Sequence, residues 1–432
     1  MDVDGQENQS GQPELSRRLS TGDAVVIGLG SMMGAGVFAA FGPAARAAGA
    51  GLLIGLAIAA AIAYCNAAAS AQLAAVYPTS GGTYIYGRER LGPWWGFVAG
   101  WGFVVGKTAS CAAMALTIGT YALPGPWWAQ RLIAVGAVIG LTALNYRGIR
   151  KTARLARILV ACTLVALAVV VIAIAIAGVQ PSNLSSAGAW SSATVYGVLQ
   201  SAGLLFFAFA GYARIATMGE EVRDPARAIP RAIIVAFGIT VAVYLIIGVA
   251  ALLAAGPDRL ARSAAPLAEA LRAAGAAPLL PAVAVGATLA SLGALLALIA
   301  GIGRTTLAMA RHRDLPGWLA AVHPRYQVPH HAEIAVAAVV CVLAGTVDLR
   351  GVIGFSSFGV LIYYAIANAA AYTQPATQRR WPRVLNVCGV VGCLLLVATL
   401  PWQSVVVGLG VFAIGLTGRA ITQRSLTDPR RG

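Results

Sequence analysis

Twelve apolar stretches, each near the ~20 residues that a helix needs to cross a bilayer, follow one another through this chain. They lie near 24–43, 47–77, 94–122, 127–146, 156–178, 194–219, 230–256, 279–310, 332–348, 351–373, 383–400 and 402–421. In lipid every backbone N–H and C=O must be satisfied by the protein itself, so only helices and closed barrels span. The stretches lack the two-residue alternation of barrel strands, so each predicts a helix. The expected fold class is an all-α membrane protein with twelve transmembrane helices. Composition agrees, with 59% of the 432 residues hydrophobic and 11% charged, where soluble domains carry about 25% charged residues. An ordinary soluble enzyme is excluded.

The net charge of +16 is scattered between the apolar runs rather than clustered, so no nucleic-acid partner is expected. With the N-terminus inside, 23 of the 31 Lys and Arg residues fall in cytoplasmic loops, six outside and two within spans. That asymmetry predicts a multi-pass protein of the cell (inner) membrane with both termini cytoplasmic. The six cysteines lie in apolar stretches without zinc or redox spacing and read as small buried hydrophobes. The four histidines fall in one cytoplasmic loop, 312–331, with no spacing that fits a metal site. No metal and no cofactor are expected. The first 22 residues are polar and read as a tail rather than a cleavable signal. Outside, the segment 257–280 contains Ala265–Leu271, which reads as a short amphipathic helix on the outer face.

Two spans carry internal interruptions. The first reads Gly28-Leu29-Gly30-Ser31-Met32-Met33-Gly34-Ala35-Gly36-Val37-Phe38. Each mid-helix glycine costs up to about 1 kcal/mol relative to alanine. Close packing of small residues explains Gly30 and Gly34 but not the added Gly36. Local unwinding explains all three, and unwound backbone at membrane depth is tolerated only where it lines a cavity. The sixth span reads Phe206-Phe207-Ala208-Phe209-Ala210-Gly211-Tyr212-Ala213-Arg214, then a polar half ending Gly219-Glu220-Glu221. Spans one and six open two five-helix halves. Interruptions at corresponding positions of an inverted repeat mark the central site of a transporter.

Four separated segments now carry a family resemblance. They are Gly34-Ala35-Gly36-Val37-Phe38; Tyr77-Pro78-Thr79-Ser80-Gly81-Gly82-Thr83-Tyr84 with Gly92, Phe97, Gly100 and Trp101; Phe207–Tyr212 followed by Glu220-Glu221-Val222-Arg223-Asp224-Pro225, Arg227 and Pro230; and Arg304, Ala308–Arg311, Leu315-Pro316 and Pro329. The chain resembles the amino acid–polyamine–organocation (APC) permeases, nearest their cationic-amino-acid-transporter-like branch. The resemblance implies a leucine-transporter-type 5+5 inverted repeat with broken helices 1 and 6. It implies secondary active transport of an amino acid or related amine across the cytoplasmic membrane by alternating access, as proton-coupled symport or exchange. The division expected is a cytoplasmic tail (1–22), a first repeat of spans 1–5 (23–178), a second of spans 6–10 (193–373), spans 11–12 (382–421) and a second cytoplasmic tail (422–432). Partners would be the amino acid or amine, a proton or counter-substrate, and the lipid bilayer; the oligomeric state is left open.

Carried residue by residue, the resemblance places substrate at Ser31, Met32, Met33, Gly34, Ala35 and Gly36 in span one and at Phe207, Ala208, Phe209, Ala210, Gly211 and Tyr212 in span six. The Gly34–Gly36 break would offer backbone N–H groups to an α-carboxylate, and carbonyls near Ser31, Met32 and Phe207–Ala210 would accept the α-amino group. Three departures stand out. Where relatives hold an acid after the span-six glycine, this chain has Ala213. Thr163 replaces a span-five lysine of some proton-coupled members. Span eight offers Gly293 and Ala294 where sodium-coupled members supply hydroxyls.

Lys107 lies about 13 residues into span three, near 20 Å along the helix axis and close to the midplane. A midplane charge costs at least about 2.5–3.5 kcal/mol. It reads either as the coupling charge, able to exchange protons when held out of water, or as a cap on the carbonyls of a broken helix. Arg214 stays charged and is expected to pair with a carboxylate or carbonyls in the inner vestibule; Glu220 and Glu221, about two helical turns away, reach it only through a bend and are expected at the inner gate or in the ion pairs of loop 220–231. Both glutamates also fit a plainer role as anchors of their loop. A non-transporting nutrient sensor of the same fold is the alternative, although no output domain is visible. No intramembrane cluster of acid, base or metal-binding residues supports an enzyme.

Overall fold

The computed structural model describes residues 19–78, 81–147, 153–218 and 221–427. Among these it contains helices and no strand, apart from one isolated bridge between Leu19 and Val222. The first span is split into α1 (Thr21–Met32) and α2 (Ala35–Ala39). The second comprises α3 (Phe41–Ala48), a 3-10 turn at Gly49–Gly51 and α4 (Leu52–Val76). A short α5 (Thr83–Leu91) leads to α6 (Pro93–Ala122), α7 (Trp127–Tyr146) and α8 (Ala153–Ala177). After α9 (Ser182–Ser185), the sixth span runs through α10 (Val195–Phe209), a 3-10 turn at Ala210–Tyr212 and α11 (Ala213–Ala216). The remainder is α12 (Pro225–Arg262), α13 (Pro266–Ala273), α14 (Leu280–Arg311), α15 (His330–Thr346), α16 (Leu349–Tyr372), α17 (Arg383–Thr399) and α18 (Trp402–Thr427).

Ten segments are long and apolar enough to cross a membrane. At the positions expected for spans nine and eleven, α15 and α17 are apolar but 17 residues each, or about 26 Å of helix. By length and composition ten helices qualify as spans among the described residues, and α15 and α17 stand at the short end of the spanning range at the two remaining expected positions.

Local chemistry explains the boundaries. Ser20 and Asp23 form a capping box at the start of α1, each side chain accepting from the other's backbone N–H at 3.2 and 3.1 Å. The Asp23 carboxylate also accepts from Arg157 Nε at 3.2 Å, which ties α1 to α8. Gly92, at φ 103°, ends α5, and Pro93 opens α6. The predicted end of span seven at residue 256 falls on Gly256 (φ 70°), where α12 bends and then continues to Arg262.

Burial sorts the helices. The spanning window of α6 is 89% buried, whereas those of α7 and α18 are 17% buried, so α6 runs through the centre and the other two face lipid. Small residues let α6 meet α16 closely: a Cβ at Gly102 would stand 2.8 Å from the Gly359 carbonyl oxygen. A charge cluster ties α5 and α18 to the turn after α14. Asp314 binds Arg88 at 2.9 Å and Arg419 at 3.0 Å and accepts from the Tyr84 hydroxyl at 2.8 Å. Burial, and then the Asp314 carboxylate beside it, push the Tyr84 phenol above its ordinary range and keep it a donor.

Candidate functional site

The first span breaks at Met33 and Gly34. Met33 has φ −81° and ψ 29°, and Gly34 has φ −73° and ψ −134°. These φ values do not require glycine; the space does. A Cβ on Gly34 would lie 2.7 Å from the Ala294 methyl of α14, and one on Gly36 would lie 2.5 Å from Ala208 Cα of α10. In span six, a Cβ on Gly211 would stand 2.4 Å from the Ser31 carbonyl. The two interrupted spans thus meet backbone to backbone at two levels, Gly36 on Ala208 and Gly211 on Ser31.

The interruptions free carbonyls, and side chains from surrounding helices claim them. Tyr244 Oη of α12 lies 2.6 Å from the Met32 carbonyl and 3.0 Å from that of Ala208. Its single hydroxyl proton serves one of them at a time. The Ala210 carbonyl accepts from Lys107 Nζ at 2.8 Å and from Tyr364 Oη at 3.3 Å. Tyr121 Oη donates to the Phe38 carbonyl in α2 at 2.8 Å. The 4%-exposed Lys107 therefore occupies the capping position that was one of its two readings.

A narrow cleft of about 30 Å³ runs from Lys107 past Ser31, Phe103, Ala210, Gly211 and Arg214 to Arg304, room for one or two waters. Of the residues expected at the substrate site, Ser31, Ala210 and Gly211 line this cleft. Met32, Met33, Gly34, Ala35, Gly36, Phe207, Ala208, Phe209 and Tyr212 are buried in the contacts around the breaks. Phe209 packs on Tyr244 with ring centroids 5.1 Å apart, and Tyr212 on Tyr364 at 4.9 Å. Thr163 donates to Leu159 within its own helix at 2.8 Å.

Glu221 pairs with two arginines of the cleft lining. Its Oε1 lies 3.2 Å from Arg304 and 3.7 Å from Arg214, whose guanidinium also donates to Thr217 Oγ1 at 3.1 Å. Glu220 lies outside the described residues. These pairs are part-exposed, worth about 0–1 kcal/mol each. Glu221→Gln is expected to loosen this end of the cleft, read as faster thiol labelling of a Thr217→Cys reporter. Unchanged labelling would mean that Glu221 does not restrict access to the cleft.

Sequence reasoning missed Tyr244, Tyr364 and Tyr121, because a tyrosine in an apolar span carries no mark of a carbonyl partner. It also missed Glu333, a 2%-exposed carboxyl in the first turn of α15 whose Oε2 has no hydrogen-bond partner.

Two interrupted helices meeting at the buried centre of a membrane bundle, beside a narrow cleft, are the arrangement of a membrane transporter. The family model described as amino acid permease matches residues 19–417, and the chain belongs to that family. An uncharacterized transporter of Mycobacterium tuberculosis is 60% identical over 417 residues, covering 95% of this chain and 93% of its own. The branched-chain amino acid permease BcaP of Bacillus subtilis is 28% identical over 94% of this chain and 93% of its own. Human cationic amino acid transporter 4 is 28% identical over 83% of this chain and 60% of its own.

Proposed function

We propose that this chain is a secondary active transporter that carries a neutral amino acid, or a related amine, across the cell membrane by alternating access, coupled to protons or to a counter-substrate. The observation that carries the reading is the paired interruption of spans one and six, with the Met32, Ala208 and Ala210 carbonyls gathered between α6, α12 and α16. Such carbonyls suit an ammonium group, and the freed N–H groups at the start of α2 suit a carboxylate. A neutral side chain is favoured because the position after the span-six turn is Ala213 and no acid stands in the cleft lining. The branched-chain substrate named for BcaP fits that preference. The cytoplasmic termini belong to the same reading, supported by the excess of Lys and Arg in the loops assigned to the inner side, and the 5+5 repeat and inner-membrane location come with the family resemblance.

The direct test is a thermal-shift screen of the purified protein against the twenty amino acids and common amines. A bound substrate at 100 times its Kd stabilises the folded form by about 2.7 kcal/mol. Stabilisation by at least one neutral amino acid is expected; stabilisation by cationic amino acids alone would overturn the neutral assignment.

Lys107 enters this reading as a tie between α6 and the span-six turn. Lys107→Met leaves the Ala210 carbonyl with the longer Tyr364 bond, and a buried group short of a partner costs about 1–3 kcal/mol. Transport is expected to fall at least tenfold, whereas Lys107→Arg, still a donor, keeps part of it and stays pH-driven. If Lys107→Arg retains exchange but loses all pH-driven accumulation, Lys107 is the coupling charge instead.

A further inference from the structure

Half of the six arginines assigned to the outer side converge on one cavity. Arg259 and Arg262 at the end of α12 and Arg272 of α13 line a space of about 800 Å³ between α13 and the outer ends of α6, α7 and α14. That volume lies within the ~300–1,000 Å³ range of small-ligand pockets. Its acid, Glu269, is engaged by Arg272 at 3.6 Å. Arg259 and Arg262 have no ion-pair partner among the described residues, so the lining carries three positive charges against one negative. Arginine is scarce on the outer side of membrane proteins, which makes this concentration informative.

The opposite wall is apolar. It is formed by Leu280, Pro281 and Val285 at the start of α14, where Val285 is 58% exposed and the neighbouring Leu279 is 38% exposed. In a spanning helix such residues face acyl chains. The cavity therefore joins a cationic pocket at headgroup level to a lipid-facing apolar strip. A zwitterionic amino acid brings no net charge to such a pocket. An amphipathic anion matches both walls.

We propose that this cavity binds an anionic phospholipid, its phosphate held by Arg259, Arg262 and Arg272 and its acyl chains laid along α14 beside Leu279 and Val285. The placement in the outer leaflet rests on the topology proposed above; the binding chemistry does not. Tyr121 lines the same cavity and donates to Phe38 in α2, so the bound lipid abuts the outer half of the interrupted first span.

The test compares the full-length protein in nanodiscs of phosphatidylcholine with and without phosphatidylglycerol. Because both leaflets carry the anionic lipid, the outcome is independent of orientation. The wild type is expected to melt at a higher temperature with phosphatidylglycerol. Arg259→Gln and Arg262→Gln should each lose about half of that shift and the double variant nearly all of it, since exposed substitutions themselves cost within about 0.5 kcal/mol. Arg46→Gln, which removes an outer charge elsewhere, should keep the full shift. A full shift in the double variant, or equal loss in Arg46→Gln, would overturn the site. Equal stabilisation by soluble glycerol phosphate in pure phosphatidylcholine would assign the pocket to a free anion and overturn the lipid. Failure of amino acid transport would leave this result unchanged, so the two readings fail separately.

Discussion

Gly36→Leu is expected to abolish substrate binding and transport while leaving a folded protein. A Cβ at this position would stand 2.5 Å from Ala208 Cα and 2.6 Å from Ala208 Cβ. Neither atom can rotate away, so α2 must move off α10 and the meeting of the two interrupted spans is lost. Overpacking of this kind costs about 1–3 kcal/mol, which distorts the contact without unfolding a bundle of this size. Gly36→Ala should already impair transport, because the clash begins at Cβ. Gly136→Ala on α7, where a Cβ meets nothing within 4 Å, is the matched control and should behave as wild type. Ligand-induced thermal shift and uptake into proteoliposomes read both effects. Normal binding by Gly36→Leu would show that the first span tolerates a side chain at the break.

The second large effect concerns stability. Asp314→Asn is expected to remove about 3–5 kcal/mol, because it leaves a buried charge uncompensated. The side chain of Arg419 is 1% exposed and cannot turn to water. It donates to the Pro93 carbonyl at 2.7 Å and lies over the rings of Trp94 and Phe97 at 4.5 and 4.9 Å. Without the carboxylate, α5, through Tyr84 and Arg88, and α18, through Arg419, lose their common partner in the turn after α14. A markedly lower Tm should follow. Arg88→Met, whose side chain is 22% exposed, should cost less. Equal melting of Asp314→Asn and wild type would mean that the cluster contributes nothing to holding these helix ends together.

How far these features could be read from the chain depended on the range of the interaction. Hydropathy placed the spanning helices, and the amphipathic pattern at Ala265–Leu271 corresponds to α13. The run 47–77 concealed a turn, since Gly49 at φ 56° divides α3 from α4 within an unbroken apolar stretch. Lys107 was visible as a charge in an apolar run, but its partner Ala210 lies 103 positions along the chain. Arg214 and Glu221 are one loop apart, so their pairing was legible; the second cation, Arg304, comes from α14 and was not. The Asp314 cluster draws on three distant segments, each ordinary in isolation. The glycines of the first span announced a break, yet only the structure shows that Gly36 makes room for Ala208. In this closed arrangement most residues expected around the substrate are buried in that contact, and the cleft reaches only Ser31, Ala210 and Gly211 from the inner side.

Uptake of radiolabelled neutral amino acids into proteoliposomes, with an imposed pH gradient, with counter-substrate inside or with a sodium gradient alone, tests carrier function most directly. Accumulation is expected when the outside is acidic or when counter-substrate is present. A sodium gradient alone should add nothing, because the family resemblance aligns Gly293 and Ala294, with only Thr288 and Ser291 nearby, to the span-eight positions that supply hydroxyls in sodium-coupled members. Strict sodium dependence, or no movement of any amino acid or amine under all three conditions, would contradict it.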